Sequence, residues 1–159
     1  MIFIILGTQK FQLNRLLKQI DGLVNDGIIN DTIIAQIGQS DYKPKNFAFH
    51  RFIDKAEFDR LISEADLIIS HGGVSSIVSA MKCGKPIIVF PRLAKFGEHV
   101  DDHQKEIAYA FAKKGFVLCC GENDSIEEQI ALCKNWEFSK YISQTDNITK
   151  IINNYLVNF

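Results

Sequence analysis

The sequence predicts a doubly wound, Rossmann-like α/β fold built on one parallel sheet, and three observations carry that expectation. Short apolar runs of strand length alternate with segments whose apolar residues recur at helical spacing through the whole chain. Several of the junctions carry glycine, as a strand-to-helix turn requires. No internal repeat, low-complexity stretch or interdomain linker interrupts the alternation, so residues 1–159 are expected to form a single domain, with the strand order of a dinucleotide-binding fold.

The elements follow in order. Residues 2–6 (IFIIL) form a continuous apolar strand, Gly7-Thr8-Gln9-Lys10 a turn, and Leu13, Leu16, Leu17, Ile20 and Val24 the buried stripe of a first helix. A second strand is expected over 32–37, a loop over 38–46 and a third strand over 47–53. Asp54 caps a helix over 55–64, with Phe58, Leu61 and Ile62 facing inward. Residues 67–69 are a strand stopped by Ser70-His71-Gly72-Gly73. A helix over 74–83 follows, with Val74, Ile77, Val78 and Met81 on one face and Gly84 as its stop. Pro86 keeps the preceding residue out of helix and opens a strand over 87–90. From Asp101 a helix carries Ile107, Ala108, Phe111 and Ala112 inward and ends at Gly115. A strand over 116–120 and a helix over 126–133 come next, and an amphipathic helical tail is expected over about 139–159, broken near Thr145.

With 159 residues, 47% apolar content, 23% charged content and a net charge of −1, the chain is a soluble globular domain with no global attraction to nucleic acid. No window approaches the roughly 18 apolar residues of a membrane span, and the first residues lack a basic leader and a cleavage site. Cys83, Cys119, Cys120 and Cys133 show no metal-binding spacing and are expected to be buried, reduced thiols in a cytosolic protein.

Two loops concentrate the chemistry at what is expected to be one sheet edge. Gly72 and Gly73 lead into a helix whose free N–H groups suit a phosphate, with the Ser75 and Ser76 hydroxyls beside them. The competing account is a tight turn capped by the serines. The second loop carries Arg92, Lys95, Glu98, His99, Asp101, Asp102, His103 and Gln104. Its GEHVDDHQ segment admits a metal site on His99 and His103, a solvated helix start, or a sugar-binding loop. The last is favoured because carboxylates, amides and imidazoles pair with hydroxyls while Arg92 or Lys95 balances a diphosphate. No HExxH, GxSxG or GxGxxG motif is present, so a metalloprotease, an α/β-hydrolase and an ordinary NAD dehydrogenase are not expected.

The run DLIISHGGVSSI, then GKPIIVFPR, then GEHVDDHQKEIA, resembles the C-terminal, nucleotide-sugar-binding domain of GT-B glycosyltransferases of the MurG type. It looks closest to the stand-alone PssE-like proteins of bacterial capsule and exopolysaccharide assembly, which are similar to the catalytic subunit of the eukaryotic two-subunit N-acetylglucosaminyltransferase. The resemblance implies transfer of a sugar, with inversion and without a bound metal, from a UDP-sugar to a lipid-linked saccharide. UDP-sugar is then the donor substrate and no separate cofactor is needed. It places Gly7, Thr8, His71, Gly72, Gly73, Ser75, Ser76, Arg92, Asp102 and Gln104 around the donor, and Glu98, His99 and His103 at the catalytic centre, with His71 a further candidate base. Ser75, where relatives often have glycine, and Ser79, where an acid often holds the ribose, depart from the pattern.

The same resemblance implies a partner: a membrane-anchored, acceptor-binding subunit that brings the lipid-linked saccharide and holds this chain at the cytoplasmic face of the cell membrane. Residues 148–159 are a candidate docking surface, the equal alternative being a helix packed on its own domain. Galactose is the preferred donor sugar, with glucose, glucuronic acid and N-acetylglucosamine open. The rival is a non-catalytic UDP-sugar-binding module that regulates a separate transferase.

Overall fold

The computed structural model describes residues 1–157. Its elements are β1 (Ile2–Ile5), α1 (Asn14–Asn25), β2 (Ile33–Gln36), β3 (Ala48–His50), α2 (Lys55–Glu64), β4 (Leu67–Ser70), α3 (Val74–Lys82), β5 (Ile87–Val89), a 3-10 turn (Ala94–Phe96), α4 (His103–Lys113), β6 (Leu118–Cys119), α5 (Ile126–Cys133) and α6 (Thr145–Val157). The strands form one parallel sheet in the order β3-β2-β1-β4-β5-β6, the order expected of a dinucleotide-binding fold.

Strand alternation sorts the core into two layers. Ile2, Ile4 and Leu6 pack with the α1 residues Leu16, Leu17 and Ile20 and with Ile126 and Ile130 of α5. Phe3 and Ile5 point to the other face, against Leu61 and Ile62 of α2, Ile77 and Ala80 of α3 and Ala108 of α4. β1 and β4, at the centre, are buried along their whole length because helices cover both faces.

Register places the site. Ile5 pairs with Gln36 on one side and Ser70 on the other, and Ser70 pairs with Val89, so the loops after β1, β2, β4 and β5 leave the sheet at one edge. The winding reverses between β1 and β4, and the helices that follow these two strands diverge to opposite faces. A crevice opens where they part.

Two edge strands are shorter than the apolar runs suggest. β3 keeps only Ala48–His50 of the stretch 47–53, and β6 only Leu118–Cys119 of 116–120. Each has a single neighbour, so ladder pairing ends before the hydrophobic pattern does. Helix α4 starts at His103 rather than Asp101, since both aspartates turn back: Asp101 accepts from His103 N–H (3.1 Å) and Asp102 from Ala94 N–H (2.9 Å). Asp54 caps α2 as expected, accepting from Glu57 N–H at 2.9 Å.

The tail differs more. Phe138 and Tyr141 pack against the body, the latter edge-on to Phe116, but 142–144 is not helical and α6 begins at Thr145. Ile148, Ile151, Ile152 and Leu156 are each more than half exposed, so the apolar stripe of α6 is not buried on its own sheet. Phe159, counted in that stripe by the sequence pattern, lies outside the described residues.

A buried carboxylate fastens the loop over 38–46 to α1. Asp21 accepts from Tyr42 O–H (2.6 Å), Lys45 N–H (3.1 Å), Asn46 N–H (2.9 Å) and the Asn46 side-chain amide (3.1 Å). Burial alone would raise its pKa, and these hydrogen bonds outweigh that and hold it below the usual carboxylate range. Asp21→Ala is expected to cost about 2 kcal/mol, measured by urea unfolding, because it strands donors that are satisfied only here.

Candidate donor site at the switch point

The site is organised around one imidazole. His71, the first residue after β4, is buried, and its Nδ1 lies 2.9 Å from the Ile5 carbonyl. A carbonyl only accepts, so Nδ1 carries the proton and Nε2 presents a lone pair. Burial, reinforced by the Arg92 charge, pushes the His71 pKa down to about 4, so the ring is neutral at physiological pH.

The ring explains two glycines. A Cβ on Gly7 would lie 2.8 Å from ring atoms of His71, and a Cβ on Gly73 would lie 2.6 Å from its Nε2. Gly73 therefore lacks a side chain because the imidazole occupies that space, whatever ligand comes later. Gly72 has a different reason. Its φ of +99° excludes ordinary side chains, and a Cβ would press on Gln104 at 3.2 Å.

Gly73 is also the N-cap of α3, so the free N–H groups of the first turn, with exposed Ser75 and buried Ser76, face the edge. A cavity of about 560 Å³ opens there. Thr8, Gln9, Gln36, His71, Ser75, Ser76 and Gln104 give it hydrogen-bonding walls, Ile53 and Phe58 an apolar portion, and Lys55 a cation, whose exposed ammonium pairs with Asp59 one turn along α2 and must leave it to meet a ligand. Such a space suits an elongated ligand with a flat apolar end and an anionic middle.

The second loop divides into parts that reach this cavity and parts that do not. Gln104 lines it while its Oε1 accepts from Arg92 N–H at 3.4 Å. Arg92 itself is turned inward, 1% exposed. Its Nη2 donates to the Leu6 (2.5 Å) and Phe11 (3.1 Å) carbonyls and its Nε to the Gln12 carbonyl (3.3 Å). Burial lowers its pKa to about 10, which leaves it charged at neutral pH. The sequence reading of Arg92 as a group offered directly to a diphosphate gives way to a positioning role, since three backbone carbonyls occupy the guanidinium.

Glu98 is likewise committed. It pairs with Arg15 (2.9 and 3.1 Å) and accepts from Leu93 N–H (3.1 Å), so its carboxylate closes a loop rather than facing this cavity. His99 stacks on Phe11, with ring centroids 4.5 Å apart, and its Nδ1 is 2.9 Å from Asp101. His103 is exposed at the start of α4, 3.7 Å from Glu106. Neither histidine lines this cavity, and Asp102 spends one carboxylate oxygen on Ala94. Among the described residues no three His, Cys, Asp or Glu side chains cluster to hold a metal ion. Gln36, Ile53, Lys55 and Phe58 were not singled out from the sequence, although Ile53-Asp54-Lys55 is one more strand-to-helix junction at the same edge.

A parallel sheet in this order with a cavity at its switch point defines the doubly wound, Rossmann-like class of ligand-binding folds. The chain matches the Glycosyltransferase family 28 C-terminal domain over residues 1–154, and it belongs to that family. Among relatives, it is 33% identical over 82 residues to the UDP-N-acetylglucosamine transferase subunit ALG13 of Cryptococcus neoformans, a match covering 50% of this chain and 39% of that one. It is 34% identical over 116 residues to a Flavobacterium psychrophilum UDP-N-acetylglucosamine--N-acetylmuramyl-(pentapeptide) pyrophosphoryl-undecaprenol N-acetylglucosamine transferase, covering 67% of this chain and 29% of that protein. Both matches thus span less than half the length of the relatives. The solution NMR structure of ALG13 superposes with a TM-score of 0.58 at 18% identity, covering 94% of this chain and 93% of that one. The crystal structure of Acinetobacter baumannii MurG does so with a TM-score of 0.54 at 23% identity, covering 79% and 38%.

The caged histidine has measurable consequences. Unfolded, it binds a proton near pH 6.5; folded, only near pH 4, so the unfolded state holds more protons in between. The resulting stability, roughly 3 kcal/mol, is complete above about pH 6.5 and is lost as pH falls toward 4. Urea midpoints measured from pH 7 to 4 should show this slope, and His71→Gln should flatten it. Gly73→Ala should destabilise the chain by about 1–3 kcal/mol by overpacking the ring, and His71→Ala in the same chain should remove most of that penalty.

Proposed function

We infer that the chain binds a UDP-sugar in the cavity beside His71 and supplies the donor half of an inverting GT-B glycosyltransferase. The observation that carries this is the composition of that one cavity: an apolar portion at Ile53 and Phe58, a helix N-terminus with Ser75 and Ser76, and the Gln104 amide. In this reading the uracil packs on Ile53 and Phe58. The diphosphate takes the free N–H groups of α3, the serine hydroxyls and the Lys55 ammonium, and the sugar hydroxyls meet Gln104. Charge that develops on the departing UDP is stabilised by groups already in place, at no reorganisation cost.

The acceptor hydroxyl needs a base. The neutral Nε2 of His71 holds an available lone pair at the cavity wall, and His99 and His103 stand on the adjoining loop as the alternatives. Glu98, engaged by Arg15 and Leu93, serves the loop instead. The reading calls for no cofactor beyond the donor substrate. Galactose is retained as the donor sugar and capsule or exopolysaccharide assembly as the setting, on the likeness of DLIISHGGVSSI and GEHVDDHQKEIA to the PssE-like proteins. The relatives named above carry N-acetylglucosamine in their names, which makes it the sugar to test against galactose.

A partner belongs to the same reading. ALG13 is named a transferase subunit, and α6 presents Ile148, Ile151, Ile152 and Leu156 to solvent, an apolar face that a second protein can cover. That partner is expected to carry the membrane anchor and the lipid-linked acceptor, as the likeness to the two-subunit transferases implies; among the described residues no helix is long and apolar enough to cross a membrane. The complex then sits at the cytoplasmic face of the cell membrane.

Titration of the chain with UDP-galactose and UDP-N-acetylglucosamine, followed by amide chemical shifts, should move Thr8, Ser75, Ser76 and Gln104. Lys55→Ala should weaken UDP binding about tenfold, roughly 1.4 kcal/mol. Shifts confined to the opposite sheet edge would refute the donor site. Transfer to a lipid-linked saccharide by the chain with its membrane partner, lost in His71→Gln, separates an enzyme subunit from a regulatory module that only binds UDP-sugar.

A further inference from the structure

A second cavity, of about 710 Å³, is larger than the donor cavity and lies across the β1–α1 loop from it. Thr8 and Gln9 of that loop line the donor side, while Lys10, Phe11 and Gln12 line the other. The loop is therefore a shared wall. On the far side the cavity is closed by the first turns of α1 and by the segment 96–98.

Its lining is cationic and aromatic. Lys10, Arg15 and Lys18 face it against one carboxylate, Glu98, and Arg15 already holds that carboxylate through both oxygens. Among the described residues Lys10 and Lys18 have no acidic partner, so two ammonium groups remain unneutralised at the rim. Each lies over an aromatic ring, Lys10 5.8 Å from the centre of Phe11 and Lys18 5.8 Å from that of Tyr42. The Arg15 guanidinium is sandwiched between Phe90 (4.2 Å) and Phe96 (4.8 Å), which fixes it without using all its donors. A cation-rich pocket with amides, the Gln19 side chain among them, matches a sugar bearing phosphate: the amides take hydroxyls and the lysines take the phosphoryl oxygens, while the rings of Phe11 and Phe96 hold the cations in place.

We propose that this cavity binds the phosphate-bearing head of the acceptor, a saccharide esterified to phosphate or diphosphate, on this chain rather than wholly on its partner. The ligand's identity as acceptor rests on the donor reading above, while the anion site stands on the cavity itself. A transfer needs two substrates brought together, and a loop with one cavity on each face lets an acceptor sugar reach over residues 8–12 toward the donor.

The test uses the full chain with five probes: inorganic pyrophosphate, inorganic phosphate, glucose 1-phosphate, UDP, and phosphatidylglycerol vesicles. Pyrophosphate is expected to shift amides within 10–19 and 96–98. Its affinity should fall at least fivefold in Lys10→Ala/Lys18→Ala, two exposed positions whose replacement leaves the fold intact. UDP should shift Thr8 and Ser76 and keep its affinity within twofold in that variant. Glucose 1-phosphate should bind more tightly than inorganic phosphate at the same residues; equal affinity removes the saccharide from the proposal. Pyrophosphate binding that ignores the variant overturns the site. So does displacement of pyrophosphate by UDP at donor-saturating concentration, which would make this cavity part of the donor site. A loss seen only with the vesicles would assign the lysines to a lipid surface and also overturn it. Pyrophosphate bound at Lys10 and Lys18 with no UDP shift at Thr8 or Ser76 would sink the donor reading and uphold the anion site.

Discussion

The buried guanidinium of Arg92 is the constraint on which the working edge depends. It reaches from the end of β5 across β4 to β1 and gathers the carbonyls of Leu6, Phe11 and Gln12, so the loop after β1 is shaped by a residue more than 80 positions away in sequence. Taking a guanidinium out of water is costly, and among the described residues Nη1 has no partner, so the burial is not an efficient way to stabilise a fold. What it achieves is definition. The backbone of the Leu6–Gln12 stretch carries no regular secondary structure, and three charge-assisted hydrogen bonds hold it where loops otherwise wander.

That cation also sets the electrostatics beside it. His71, next to the same loop, is kept neutral by burial and by the Arg92 charge, and its tautomer is dictated by the Ile5 carbonyl. The imidazole then acts as a spacer between Gly7 and Gly73. Strand ends, glycines, histidine and arginine form one interlocked unit in which the two central strands are joined above the sheet as well as within it. Arg15 and Glu98 repeat the arrangement one layer out, binding α1 to the loop after β5.

Much of this architecture is legible from pattern alone, because each strand-turn-helix unit is written locally. The apolar run of 2–6, the glycine turn after it and the stripe of α1 need no tertiary information, and parallel winding with right-handed crossovers then leaves few strand orders. What escapes is whatever depends on distant partners. Arg92 and Glu98 sit in a polar loop and read as exposed, yet the fold brings the Leu6 carbonyl to one and Arg15 to the other. Gly73 reads as room for a phosphate until the His71 ring is placed beside it. Lys55 and Phe58 escape pattern reading because a capped helix start reads as structural, although the sheet carries it to the same edge as the glycine loops. Edge strands β3 and β6 read too long for the converse reason: apolar sequence persists where, among the described residues, no neighbour remains to pair with it.

The naked helix α6 turns the chain's behaviour into a matter of supply. Its isoleucines and leucine carry a hydration penalty for as long as nothing covers them, and that penalty scales with the number of uncovered copies. Chains made in excess have one another as the nearest apolar surface, so crowding favours clumping through the same stripe. A chain carrying this helix is kept dispersed to the extent that its surroundings are well stocked with whatever fits the stripe.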